Sequence, residues 1–222
     1  NARLQVRYLR KYLVSTEGSR LAQNSRLIQL SVQAAMVAPD GNLVDLSNVY
    51  YYTAPTSFPQ EDHLIQQTSG LIDQLKKLSK APKAEPFAGP AILSNEVSGV
   101  FFHEIFGHRI EGHRLRSDHD GQTFKNKIGE KVLPKFMDVV FDPTIEQSDT
   151  FRLIGSYRYD DQGMKSERVR VIEKGVLKKF LMSRRPMASQ IQSNGHGRSA
   201  AGFNPVARQS NMLVTTDKPM SD

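Results

Sequence analysis

The residues richest in chemistry lie between Phe101 and His113, where His103, Glu104 and His108 form the pattern H-E-x-x-x-H. Imidazole nitrogen is a favoured zinc ligand, and a carboxylate beside the first ligand can serve as a base toward a metal-bound water. The common zincin motif spaces its two histidines four apart, on one helix face. Here the spacing is five, which turns the second ring roughly 140° around an ideal helix from the first. Both rings reach one metal only if the helix widens by a π-type turn or ends between them. Gly107, just before His108, lets the backbone do either at low cost. Four of the six histidines crowd between positions 103 and 119. Spacing alone leaves two readings open, a metal site and a pair of ordinary helix-end histidines.

The elements that must position this motif can be read around it. Ala91-Ile92-Leu93 has the look of a short buried strand, and Ser94 or Asn95 can cap the following helix, with Glu96 suited to its positive end. Val97, Val100, Phe101 and Ile105 are expected to point from that helix into a core. Upstream, the first fifty residues predict antiparallel strands. Arg10–Thr16 turns through Glu17-Gly18 into Ser19–Gln23, Leu27–Val37 alternates, and Leu43–Thr53 returns after the turn Pro39-Asp40-Gly41-Asn42. A helix follows over about Asp62–Ser79, with Leu64, Ile65, Thr68, Leu71, Ile72, Leu75 and Leu78 at helical spacing.

Downstream, Met137–Phe141, Arg152–Tyr157, Val169–Ile172 and Val176–Leu181 predict strands, with Glu173-Lys174-Gly175 as a hairpin turn. Ser193–Arg198 is polar, carries two glycines and is expected to be loop. The fold class expected is α+β, with an antiparallel N-terminal sheet, packed helices, and a β-rich C-terminal part entered through the motif helix.

Composition narrows the function classes. The 222 residues are 38% hydrophobic and 24% charged, as in ordinary globular proteins. The absence of cysteine excludes a disulfide framework, a thiolate zinc knuckle and a cysteine nucleophile within these residues. No apolar run approaches the ~20 residues of a membrane span, and no signal peptide opens the chain, so a cytoplasmic protein without a membrane partner is expected. The net charge of +7 permits nucleic-acid binding. Acidic residues interrupt most of the basic stretches, however, and no aromatic-interleaved basic motif stands out. The chain opens on Asn1 and ends without a recognisable element, as a fragment or processed chain would.

A longer set of residues carries a resemblance. His103-Glu-Ile-Phe-Gly-His-Arg-Ile-Glu-Gly-His113 and Ile128-Gly129-Glu130-Lys131-Val132 resemble the TldD branch of the TldD/PmbA metalloprotease family. That family carries H-E-x-x-x-H, a following G-x-x-E-G or a near variant, and a later I-G-E or M-G-E block. Asp160-Asp161-Gln162-Gly163, Glu173-Lys174-Gly175-Val176-Leu177 and Asn194-Gly195-His196-Gly197-Arg198 are similar to its D-D-E-G, E-N-G-V-L and N-G-x-x-R segments, in family order. The resemblance implies a cytoplasmic, zinc-dependent peptidase acting on unfolded or flexible peptides. It implies zinc ligation by His103 and His108, and Glu104 as the base that activates the zinc-bound water. Family members pair as homodimers or as heterodimers with a related subunit.

With this resemblance the chain divides into a sheet-and-helix domain over 1–80, a linker over 81–90, and the motif helix with the start of a β-rich metallopeptidase domain over 91–222. Two departures stand out. The family's third ligand is typically a cysteine near its C-terminus, and this chain has none. Either a further segment supplies the ligand, or His113, Asp118, His119 or His196 replaces it, or the site is not a working catalyst. His113 itself stands where relatives often carry aspartate. The alternatives are a basic regulatory protein associated with nucleic acid, and a non-catalytic assembly subunit with an incomplete metal site.

Overall fold

A computed structural model describes residues 1–117, 119, 122–148, 151–187 and 191–219. It has the α+β architecture expected, with antiparallel sheets and few helices. The chain separates into two compact units. One comprises Asn1–Lys11 and Asn24–Ala91, and the other Tyr12–Gln23 and Ile92–Asp222. The tip of the first hairpin therefore groups with the motif-bearing unit.

Three long strands form the meander: β1 (Ala2–Val14), β2 (Arg20–Val37) and β3 (Leu43–Tyr52), in the order β1-β2-β3. The two segments expected on either side of Asn24 are one continuous strand, β2. Helix α1 (Glu61–Leu78) follows. Its apolar stripe is only partly used: Leu71 and Leu75 are buried, whereas Ile65, Ile72 and Leu78 are exposed. Residues 82–88 contain no helix, strand or turn.

The second unit contains helix α2 (Asn95–Ile105) and the strands β4 (Met137–Phe141), β5 (Gln147–Ser148), β6 (Phe151–Arg152), β7 (Val169–Glu173), β8 (Val176–Leu177), β9 (Gly197–Arg198), β10 (Val206–Ala207) and β11 (Met212–Thr216). The main sheet has the order β11-β4-β7-β8. β7 and β8 join through Lys174 and Gly175, both with positive φ (48° and 77°), as a two-residue hairpin requires. The core lies on this sheet. Val139, Phe141, Val171, Ile172, Leu177, Phe180 and Leu181 are fully buried, together with Phe106 and Ile110 from the motif segment. Truncating one such phenylalanine to alanine costs about 3–5 kcal/mol.

Three expectations are corrected here. Ala91–Leu93 is not a strand, and Ile92 is fully exposed. Helix α2 buries none of its residues: Val97, Val100, Phe101 and Ile105 are each 41–62% exposed, and only Phe102 packs partly against the core. The strands expected over Arg152–Tyr157 and Val176–Leu181 shrink to the two-residue β6 and β8.

The hairpin tip is held to its unit by paired bonds. Gln23 Nε2 donates to Tyr159 O, and Tyr159 N–H donates to Gln23 Oε1, both at 3.0 Å. Arg184 also pairs with Glu17. The segment Ser193–Arg198, expected to be loop, is largely internal and ends in the two-residue β9. Gly195, His196 and Gly197 are buried, and Asp160 Oδ2 accepts a bond from Gly197 N–H at 2.8 Å.

Candidate metal centre

Helix α2 ends between the two histidines. Phe106 is its C-cap, with its N–H donating to Phe102 O, and the chain passes directly into a 3-10 turn over Gly107–Ile110. Of the two ways to reconcile a spacing of five, the chain thus uses termination rather than a π-type turn. At Phe106 the backbone leaves helical geometry (φ −115°, ψ −56°), so His108 is not carried around the helix axis as the continuing spacing would require. The two rings lie 4.6 Å apart between centroids, at 73° to one another.

Glu104 sits between them. Its Oε1 is 3.8 Å from His103 Nε2, and its Oε2 is 3.8 Å from His108 Nε2. Among the described residues, these three side chains form the group able to offer three metal-ligating atoms, all within 4.8 Å of one another. Two imidazole nitrogens beside a carboxylate are groups that suit zinc chemistry. His103 and Glu104 are open to solvent and His108 is part-buried, so water and a substrate have access.

Beneath His108 the site becomes internal. Glu111 is fully buried, with Oε2 3.2 Å from His108 Nδ1, 2.7 Å from Arg114 Nε and 3.6 Å from Arg208 Nη1. Its Oε1 has no partner. The backbone here is pinned by Gly112 N–H to Leu181 O and by Leu181 N–H to Ile110 O, both at 2.9 Å. Gln209 completes the surround, its Nε2 lying 3.3 Å from His108 Nδ1 and 3.4 Å from His103 O.

The other candidate ligands lie elsewhere in function. His113 makes a backbone hydrogen bond involving Ala207, and burial holds its imidazole below the usual histidine range. Its Nδ1 is buried without a partner, but the ring is outside the three-residue group. His119 is exposed, with its N–H donating to Ser117 Oγ. His196 is wholly buried, bonded to Asn194 O through Nδ1 (2.9 Å) and to Ser210 Oγ through Nε2 (3.1 Å). It is a satisfied core histidine. Asp118 lies outside the described residues.

Sequence reasoning missed Glu111, Arg208 and Gln209 as parts of the site. Glu111 carried a signal, since it lies three residues past His108. Arg208 and Gln209 stand about a hundred positions away, and no local pattern marks them.

The profile of the PmbA/TldA metallopeptidase C-terminal domain matches residues 88–222. The chain belongs to the TldD/PmbA family. A Methanocaldococcus jannaschii metalloprotease is 34% identical over 142 residues, which cover 64% of this chain and 29% of that protein. A zinc metalloprotease TldD homolog from Saccharolobus solfataricus is 26% identical over 155 residues, 68% of this chain and 32% of the relative. The crystal structure of a Thermotoga maritima protein, described as a candidate modulator of a DNA gyrase, superposes with a TM-score of 0.68 at 18% identity. The match covers 96% of this chain and 46% of that one. The aligned part of the chain thus spans about a third of these curated relatives.

Proposed function

We propose that this chain carries the metal centre of a zinc-dependent peptidase of the TldD type, acting on unfolded or flexible peptides. The observation that carries the reading is the convergence of His103, Glu104 and His108 across the end of α2. Membership of a metallopeptidase family and the names of its relatives support it.

His103 and His108 would hold the metal through their Nε2 atoms. Bound there, zinc supplies a Lewis acid that polarises a carbonyl and lowers the pKa of water toward ~7. Glu104 offers its carboxylate beside both Nε2 atoms, with Oε1 3.8 Å from that of His103 and Oε2 3.8 Å from that of His108. In this role it accepts a proton from the attacking water and delivers it to the departing amine nitrogen, so the carboxylate is restored each turnover. The exposure of Glu104 lets an extended peptide approach, in keeping with a substrate that has no fold of its own. A paired assembly with an identical or related subunit, and a cytoplasmic setting, go with the same reading. Among the described residues no helix is long and apolar enough to cross a membrane.

The test is Glu104→Gln, assayed for zinc content and for cleavage of an unstructured peptide. The expected result is about one zinc per chain retained, with cleavage reduced ~10²–10⁴-fold. Unchanged cleavage would remove Glu104 as the base. Loss of zinc together with activity would make Glu104 a ligand instead.

A further inference from the structure

We propose that the exposed face of α2 is a subsite for apolar side chains of an extended peptide, beside the bond that the metal cluster acts on. Val97, Val100, Phe101 and Ile105 are each 41–62% exposed, so four large apolar side chains lie open on an 11-residue helix. Single exposed apolar residues are ordinary on a protein surface, whereas a contiguous apolar patch marks a binding site. These four share one face. At about 100° per residue, Val100, Glu104, Val97 and Phe101 fall within an arc of roughly 100°, with His103 and Ile105 just beyond its two edges. Phe102, which packs partly against the core, stands roughly 150° from the middle of that arc. Its ring meets Phe101 edge-on at 5.7 Å between centroids, so a core-packed ring braces an exposed one.

What occupies this face follows from what else stands on it. His103 and Glu104, two of the three members of the cluster, share it. Beyond His108 the backbone turns inward, with Ile110 and Glu111 fully buried, so the open surface leads from the cluster back along α2 toward Asn95. One arm of a peptide whose carbonyl is held at the cluster therefore passes over Phe101 and Val100, and then over Val97. Along the helix axis Phe101 lies ~3 Å and Val97 ~9 Å from His103, a step of ~6 Å. Alternate side chains of an extended strand point the same way about 6.6 Å apart, nearly the same stride. This placement rests on the reading of the cluster as the centre of a peptidase.

Two other occupants fit less well. Helix α2 carries Glu96 and Glu104 and no lysine or arginine, so it repels a nucleic acid and accepts a neutral or basic chain. The face is roughly 16 Å long and 10 Å wide, far below the ~800 Å² per partner of a stable protein complex. It accommodates about five extended residues. The side chains it would take are those that a folded protein keeps inside, so such a face selects for chains that are unfolded.

The first measurement needs neither metal nor cleavage. Two dye-labelled peptides of equal length and charge, one with leucine at two alternate positions and one with serine there, are titrated against the metal-free 222-residue chain by fluorescence anisotropy. The leucine peptide should bind about tenfold more tightly, and the double variant Val100→Ser, Phe101→Ser should bring the two peptides level. Both positions are open to solvent, where substitutions move stability little. Equal binding of the two peptides by the unsubstituted chain would overturn the proposal, whatever the variant does. So would an intact preference in the folded variant. Sedimentation of the same two proteins tests another occupant: a dimer that the double substitution splits would give the face to a second copy and overturn the proposal.

The second measurement adds zinc and an unfolded protein substrate, with the cut sites mapped by mass spectrometry. Cuts should cluster beside leucine, isoleucine, valine, phenylalanine and methionine, and lose that bias in the double variant. Unbiased cuts would sink the subsite and leave the peptidase reading in place. No cleavage at all, with the peptide preference intact, would fail the peptidase reading and leave the apolar-peptide face standing.

Discussion

The side-chain amide of Gln209 occupies the space that a Cβ on Gly107 would need. Gly107 has no positive φ, so its identity follows from this close approach and not from an unusual backbone conformation. The sequence suggested that glycine was there to ease the backbone past the end of α2. The structure assigns it a different reason: room for a side chain a hundred residues away.

Gly107→Ala should therefore push the Gln209 amide off His103 O and His108 Nδ1 while leaving the fold intact. The intruded atoms are the free end of a flexible side chain, and the stability change should stay within about 1 kcal/mol. Zinc affinity should fall by a modest factor, and Gln209→Ala should reproduce that factor. A loss in Gly107→Ala that Gln209→Ala does not show would break this link. Chelator competition on both variants decides it.

Zinc itself should stabilise the chain. At about a hundred times its dissociation constant, a ligand specific for the folded state adds ~2.7 kcal/mol to the unfolding free energy. The shift should be reversed by chelator and be absent in the double variant His103→Ala, His108→Ala. The same shift in that variant would place the binding elsewhere.

Asn211 is a second fixed point, remote from the chemistry. Its Nδ2 donates to Asp142 O at 3.2 Å and Ile145 O at 2.9 Å, and its Oδ1 accepts from Gly155 N–H at 2.9 Å. Asn211→Ala strips three backbone groups of their partner at once. Each buried orphan costs about 1–3 kcal/mol, so a loss of ~2–4 kcal/mol is expected after partial relaxation. Urea unfolding measures it, and a loss under about 1 kcal/mol would show that water replaces the amide.

Burial holds the His196 imidazole down to about 4, against an ordinary value of 6.5. The unfolded chain therefore binds a proton in this interval that the folded chain refuses. The stability contributed is whole above about pH 6.5 and drains away as pH falls toward about 4, by up to ~3 kcal/mol. Burial lowers His113 in the same direction, whereas burial raises Asp160, which acts with opposite sign in the acid range. Urea midpoints across this window should fall steeply for the unsubstituted chain and more gently for His196→Gln. Parallel slopes would assign the pH dependence to other groups.

What the sequence made legible, and what it hid, follows from the range of the forces involved. That α2 could not run as a regular helix through both histidines was visible, because residues five apart do not share one face; whether it widened or ended there was left open. The β7–β8 hairpin was visible because Glu173-Lys174-Gly175 specifies its own turn. By contrast, the apolar residues of α2 and Ile92 were expected inside and lie outside. Periodicity reports that a face is apolar and says nothing about whether a partner is present. Glu111 carries a charge, and it is tolerated in the interior because Arg114 and Arg208 reach it. That depends on where residue 208 returns in space, which no local spacing encodes. His196 looked like a candidate ligand for the same reason, until Asn194 and Ser210 accounted for both of its nitrogens.

The end of α2 also divides the motif mechanically. His103 and Glu104 ride on a helix of three turns with no buried residue, a length that is marginal on its own. His108 and Glu111 are built on Phe106 and Ile110, which are locked into the core. An ion held by both histidines would therefore act as a rivet between a backbone free to fray and one that is not. Amide exchange in Val97–Glu104 would slow when the ion is added, while the amides of Gly112 and Leu181, already bonded to Leu181 O and Ile110 O, would barely change.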